Sequence, residues 1–403
     1  MNLQVQRAVD RVLGVPLCAL LSVANRFRHQ APHHDPPRRI LVMLLSEMGS
    51  LVLAQPMFAR LAARYPDASL YALVFAGNRQ VLDLLGVVPP EHVLTLDDRT
   101  ATSFFQDSLD VLRQLRALDL DVVIDCELFA RVSSILALLS GAPTRVGFHR
   151  HTQEGLYRGS FINRPVPYNP YQHLSRQFLT LAGAIDARST PLAKTPPEET
   201  PDPPPLCAFP AEEITEATSR LHADFPSLQG RRLVLVHPGG GALPIRAWPL
   251  AHYREVCARL LDDGHAVGVI GLKGDQPLAR AIVGHDRRPE CVDLTGYTTS
   301  VRHLLLLFHR ASLLITNDGG PGQFAALTPI PSLVFFGPET PALYRSLGVH
   351  AHVFYSSFAC SPCLTAYNHR RSPCDGDNQC LKQIGTAEVL AKARAVLGMR
   401  REA

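Results

Sequence analysis

From Arg39 onward, short runs of β-branched residues and leucine alternate with longer stretches whose apolar residues recur at helical spacing. No other feature constrains the chain as much. A strand that is apolar along its whole length must be buried on both faces, and helices packed on both sides of a parallel sheet bury it that way. In the first half the runs predict strands at 40–45, 70–75, 93–96, 122–125 and 145–148, with helices such as 56–65 and 108–118 between them. The pattern breaks at 187–210, where eight prolines remove too many backbone donors for a helix interior or a central strand. It resumes with strands expected at 233–236, 266–270, 291–294, 313–316 and 332–336.

This organisation predicts a basic segment 1–38, a first domain 39–186, a proline-rich linker 187–210 and a second domain 211–403. A length of 403 residues also exceeds what one hydrophobic core usually supports. Two Rossmann-like halves facing each other across a cleft describe a GT-B architecture of the α/β class, with the ligand outside the carboxyl ends of the strands. The net charge of +4 argues against nucleic acid as a partner, since that function calls for a strongly basic stripe.

The positive charge is concentrated at the N-terminus, where Arg7, Arg11, Arg26, Arg28, Arg38 and Arg39 stand against Asp10 and Asp35. The apolar run 12–24 inside this segment has 13 residues, fewer than the roughly 20 that a spanning helix needs, so it is not expected to cross a bilayer. Leu13, Leu17, Leu20, Ala24 and Phe27 share one helical face, which suits a helix lying in a membrane interface through residues 7–28. A helix packed on its own protein fits the same residues. A secretory signal ending near Ser22 and Ala24 is a third reading, disfavoured by Arg26 and Arg28 immediately after them.

Two turns can carry chemistry. Asn317, Asp318, Gly319 and Gly320 end an apolar run and precede Pro321, a residue suited to the first turn of a helix. Glycine lets a ligand approach the backbone, and exposed N–H groups favour a phosphate; a plain capped strand-to-helix turn would use the same residues. His237, Gly239, Gly240 and Gly241 end another buried run, and Arg246 follows as a permanent, fork-shaped charge for phosphate oxygens. Trp248 is expected to pack structurally.

These stretches (HPGGG with Arg246-Ala247-Trp248-Pro249, the segment 271–275, Leu294-Thr295-Gly296, Asn317 to Gln323, and Phe336-Gly337-Pro338-Glu339-Thr340-Pro341) resemble, in order and spacing, glycosyltransferase family 9, the ADP-heptose:lipopolysaccharide heptosyltransferases. The resemblance implies an inverting glycosyltransferase that needs no catalytic metal. Its donor would be a nucleotide-diphospho-sugar, ADP-heptose being favoured, and its acceptor a lipopolysaccharide-core or other lipid-linked glycan. It also implies action in the cytoplasm, peripherally on the inner face of the cytoplasmic membrane. Arg246 matches a position where the family commonly has a phosphate-contacting lysine. Asp318, Gly319 and Gly320 match the family's Asp-Ser/Thr-Gly around the donor, and Asp275 lies near its ribose-binding carboxylate. Gln323 stands where the family often has histidine.

The first βα turn departs from the family, with Ser50 where the family has the aspartate proposed as base. Transfer needs a group to take the proton of the attacking hydroxyl, and Glu47 in the same loop is the candidate replacement. Loss of the aspartate also fits a non-catalytic sugar-nucleotide or glycan-binding protein, and a GT-B fold serves sugar-nucleotide epimerases as well. Cys360, Cys363, Cys374 and Cys380 suit a structural metal such as zinc, with disulfides or free thiols as alternatives, whereas Asp375-Gly376-Asp377 reads as a turn. The remaining five cysteines lie in apolar stretches and are expected to be reduced and buried.

Overall fold

A computed structural model describes residues 3–27, 36–45, 47–148, 157–187, 201–368 and 370–399. Ser46, Arg28 and residues 188–200 of the expected linker lie outside the described residues. The chain divides into two compact units, Met1–Pro201 and Asp202–Ala403.

The first unit is built on six parallel strands, β1 (Arg39–Met43), β2 (Ser69–Phe75), β3 (Val93–Leu96), β4 (Val122–Asp125), β5 (Thr144–Phe148) and β6 (Arg164–Val166). Their spatial order is β3-β2-β1-β4-β5-β6. The second unit repeats the plan with β7 (Leu233–His237), β8 (Ala266–Gly271), β9 (Cys291–Thr295), β10 (Leu313–Asn317), β11 (Ser332–Phe336) and β12 (Ala351–Tyr355). Its order, β12-β11-β10-β7-β8-β9, becomes the same sequence once counted from its own first strand. This is the strand order of dinucleotide-binding sheets. Of the central strands, β4, β10 and β11 are buried at every position, which is why each reads as an apolar run with polar residues only at its ends.

The expectations erred at the edges. β6 is only three residues long and contains Pro165, which an edge strand tolerates because one side of it has no partner. β12 is partly exposed along its length, so its sequence lacks the apolar run that marks a buried strand. The first helix was expected from residue 56 but is Met48–Arg64, with Pro56 inside it. Burial of Leu51, Val52, Leu53 and Ala54 before the proline, and of Met57, Phe58 and Leu61 after it, outweighs one missing hydrogen bond. The helix expected at 108–118 is Ala101–Ala117, started by Thr100, whose Oγ1 accepts the Ser103 N–H at 3.0 Å.

Helices Leu3–Val12 and Gly14–Asn25 run on through Leu13, which donates to the Val9 carbonyl at 2.9 Å and accepts from the Leu17 N–H at 3.2 Å. Taken together they contain an 18-residue stretch, Ala8–Asn25, long and apolar enough by length and composition to cross a membrane. That exceeds the apolar run counted in the sequence because helical flanks are included. One side of this helix is engaged within its own unit: Cys18 is fully buried among Ile135, Leu138 and Phe161.

Candidate active site

In sheets of this order, ligands bind beyond the carboxyl ends of the two strands at which the strand order reverses. Those strands are β1 and β4 in the first unit, and β7 and β10 in the second.

At the ends of β7 and β10, Asn317 is buried and fully hydrogen-bonded. Its Nδ2 donates to the carbonyls of Pro238 (3.1 Å) and Gly239 (3.0 Å), and its Oδ1 accepts the Trp248 N–H (2.8 Å) and the Tyr253 hydroxyl (2.9 Å). An amide has two donors and two acceptor lone pairs, so this side chain has nothing left to offer a ligand. Expected from sequence as a donor contact, Asn317 instead latches the glycine loop to β10. Asn317→Ala strips the amide's partners from the Pro238 and Gly239 carbonyls and the Trp248 N–H, while the Tyr253 hydroxyl keeps the His237 carbonyl at 3.2 Å, and should cost about 3 kcal/mol, measurable by urea unfolding.

Trp248 stacks on Phe335 at 4.3 Å and donates to the Ile384 carbonyl at 3.1 Å, the structural role expected of it. The loop that Asn317 holds is tight. A Cβ on Gly240 would lie 2.7 Å from the Leu243 carbonyl oxygen, and Gly241 adopts φ +61°. Gly319, by contrast, faces open space. It precedes a five-residue helix, Gly320–Phe324, so an anion there would meet local N–H groups rather than a long helix dipole.

Arg246 reaches this position from the turn Pro244–Arg246. Its Nη1 lies 3.6 Å from Asp318 Oδ2 and its Nη2 3.5 Å from the Gly240 carbonyl, while its buried Nε has no hydrogen-bond partner among the described residues. These are weak contacts for a five-donor group. Arg158 in the first unit shows the contrast: it bonds the Ala130 carbonyl at 2.8 Å, Ser133 Oγ at 2.9 Å and the Asp125 carboxylate. Arg158 is structurally committed, whereas Arg246 keeps donor capacity beside the glycine loop.

Asp275 accepts the Leu272 N–H at 2.8 Å and lies against the glycine loop, its Oδ1 only 2.9 Å from where a Gly239 Cβ would be. Lys273, which sequence reasoning passed over, runs its stem across Gly296, where an added Cβ would come within 2.7 Å of Cγ. Gly296 donates to the Gly271 carbonyl at 2.8 Å and so joins the ends of β8 and β9. The structure therefore brings His237, Gly239, Gly240, Gly241, Arg246, Asp275, Asn317, Asp318, Gly319 and Gly320 to one end of one sheet.

His237 places Nδ1 3.2 Å from Thr316 Oγ1, and burial pushes its imidazole from 6.5 down to about 4. It is neutral at pH 7. The unfolded chain then binds the extra proton, so this contribution to stability is full above pH 6.5 and is lost as the pH falls toward 4. The loss should reach about 2 kcal/mol by pH 5, and His237→Asn should remove that part of the slope in thermal melts across this range.

At the ends of β1 and β4, Glu47 precedes the helix Met48–Arg64 and receives the Ser50 hydroxyl at 3.4 Å, so the two expected catalytic residues are adjacent. Ser50 is buried and Glu47 is partly exposed. The sequence reading missed the buried Glu127 behind them, whose Oε1 accepts the Leu45 N–H at 2.7 Å, and Asn78, which donates to the Leu45 carbonyl at 2.6 Å. The available signal was a pair of acids, Asp125 and Glu127, closing an apolar strand.

The C-terminal cysteines do not form the expected metal set. Among the described residues no three His, Cys, Asp or Glu side chains form a group able to hold a metal. Cys363 accepts from the Ser372 hydroxyl at 3.0 Å, Cys374 donates to Asn378 Oδ1 at 3.5 Å, Cys360 is exposed and Cys380 is buried, so the thiols have unlike surroundings. Cys18, Cys126, Cys257 and Cys291 are buried free thiols as expected, and Cys207 is partly buried. Asp375-Gly376-Asp377 is a turn closed by the Asp377 N–H on Asp375 Oδ1 at 2.9 Å.

The profile of glycosyltransferase family 9 (heptosyltransferase) matches residues 109–371, and the chain belongs to that family and is a glycosyltransferase. It is 24% identical over 372 residues to lipopolysaccharide heptosyltransferase 2 of Salmonella typhimurium, a match covering 89% of this chain and 98% of the relative. Among solved structures, Escherichia coli ADP-heptose LPS heptosyltransferase II is similar with a TM-score of 0.68 at 22% identity, over 91% of this chain and 100% of that one. Escherichia coli heptosyltransferase WaaC with ADP gives 0.62 at 18% identity, over 89% and 99%. These likenesses show the GT-B fold of two Rossmann-like domains.

Proposed function

We propose that this chain is a heptosyltransferase of lipopolysaccharide core biosynthesis, transferring heptose with inversion from ADP-heptose to the growing core at the cytoplasmic face of the inner membrane. The observation that carries the reading is Arg246, weakly partnered beside the latched glycine loop at the reversal point of the second sheet. The relatives named for LPS heptosyl transfer, and the one solved with ADP, support the choice of donor.

In this reading Arg246 and the backbone N–H groups of Gly239, Gly240, Gly241, Gly319 and Gly320 receive the diphosphate. Asp275 takes the ribose hydroxyls and Asp318 the sugar, while Asn317 and the neutral His237 hold the loop in place. The acceptor oxygen attacks the anomeric carbon as its proton passes to Glu47, which Ser50 orients. The bond from the anomeric carbon to the diphosphate oxygen breaks, and ADP leaves with the electron pair. Charge developing on that oxygen meets Arg246 and fixed backbone dipoles, which supply the stabilisation a metal gives in other transferases. The unlike settings of the four cysteines, Cys360 exposed, Cys363 and Cys374 partly buried and engaged by Ser372 and Asn378, and Cys380 buried, favour free thiols over the structural zinc expected from their spacing.

A donor screen tests the reading, because a ligand that binds only the folded state raises its melting temperature. ADP-heptose should stabilise the protein more than GDP-, UDP- or dTDP-sugars. An equal or larger shift with a UDP- or dTDP-sugar would contradict the assignment.

A further inference from the structure

The N-terminal helix has its polarity inverted relative to a helix on a soluble domain. Asp10, Gly14, Cys18 and Ser22, spaced four residues apart, form the seam that faces the protein. Asp10 accepts the Arg131 N–H at 2.8 Å and its guanidinium at 2.7 Å. Gly14 lets the backbone lie on that arginine, since a Cβ there would come within 2.9 Å of Arg131 Cδ. Cys18 is fully buried, and Ser22 Oγ lies 3.0 Å from the Tyr157 hydroxyl and accepts the Ser160 N–H at 3.0 Å. The large apolar side chains point the other way: Val12, Leu13, Leu17, Leu20, Val23 and Phe27 are exposed, Leu20 by 70% and Phe27 by 83%.

We infer that this outward face is a docking surface for an anionic phospholipid bilayer, in which the helix lies parallel to the membrane plane. The charges choose the occupant. Asp10 is the sole acidic residue of 3–27 and is tied to Arg131 at the seam, whereas Arg26 is exposed on the flank of the apolar face and Arg11 is exposed near the N-terminal end of the seam. A leucine face on a helix whose exposed charged side chains, among the described residues, are Arg11 and Arg26 matches acyl chains beneath negative headgroups. A transmembrane placement would strip away the ion pair at Asp10 and the burial of Cys18 and move both polar groups into lipid, so the helix lies on the surface. That the bilayer is the inner membrane's cytoplasmic leaflet rests on the transferase reading; the docking itself does not.

The full chain should co-sediment with phosphatidylcholine vesicles containing phosphatidylglycerol, and several-fold less with phosphatidylcholine alone or in high salt. The triple variant Leu13→Ser, Leu17→Ser, Leu20→Ser should lose about tenfold or more in vesicle affinity while keeping the wild-type melting temperature. Arg11→Gln with Arg26→Gln should weaken binding and flatten its salt dependence. Vesicle binding by the triple variant equal to that of wild type would overturn the proposal. So would a wild-type dimer, seen by sedimentation velocity, that the same three substitutions dissociate, because the face would then belong to a second copy. Neither donor nor acceptor is needed for the measurement, so its failure leaves the transferase reading standing, and failure of transfer leaves this one standing.

Discussion

Arg246→Ala is expected to lower kcat/KM for sugar transfer by about a thousandfold, equivalent to about 4 kcal/mol of transition-state stabilisation. The reason lies in what Arg246 touches. Its 3.6 Å approach to Asp318 and 3.5 Å approach to the Gly240 carbonyl are too long to saturate the guanidinium, leaving donors for an anion whose charge grows as the diphosphate departs. Arg246→Lys should recover much of the loss, since it restores the charge, though not all of it, since a point charge cannot form the fork. A merely structural arginine would give the opposite pattern, with a lower melting temperature in both variants and kcat/KM of the surviving protein near wild type.

Glu47→Gln is expected to lower kcat by a factor of about a hundred to ten thousand with the dissociation constant of ADP-heptose unchanged. Single-turnover rates and donor titration separate the two quantities. Ser50→Ala should cost much less, because the hydroxyl meets Glu47 at 3.4 Å and orients it without exchanging protons with substrate. Placing the family's aspartate back, Ser50→Asp in the Glu47→Gln background, should restore part of the activity. Wild-type turnover by Glu47→Gln would remove Glu47 from the mechanism and require a different acceptor for the hydroxyl proton.

Much of this fold was legible because buried parallel strands advertise themselves. β4, β10 and β11 are buried at every position, and each carries three or four contiguous apolar residues since both of its faces are covered, a signal that survives in sequence. β6 and β12 were missed for the converse reason: an edge strand has less to bury. The glycine loops were legible too, since few residues tolerate the approach of Pro244 to Gly240 or the φ of Gly241.

Side-chain roles proved harder to read than side-chain positions. Asn317 falls where sequence placed it, yet its amide is consumed by Trp248, Tyr253 and the glycine loop, partners 64 to 79 positions away in sequence. Glu127 escaped notice because it receives the backbone N–H of Leu45, 82 positions earlier, which no local pattern records. The cysteine spacing suggested a metal, but spacing along the chain does not fix where thiols point, and Ser372 and Asn378 engage two of them. The N-terminal helix shows the same limit. Its leucine stripe was visible, while the seam that turns the stripe outward depends on Arg131 and Tyr157, more than a hundred residues later.

The central claim is transfer of heptose from ADP-heptose, and a direct assay tests it. Purified protein is incubated with ADP-heptose and lipopolysaccharide cores truncated at successive heptoses, and products are followed by mass and by released ADP. The account predicts one truncated core that gains a single heptose with one ADP released per transfer, in the presence of a chelator, and no product from Arg246→Ala on the same timescale. Absence of transfer to every core, or transfer from a UDP- or dTDP-sugar in preference to ADP-heptose, would contradict it.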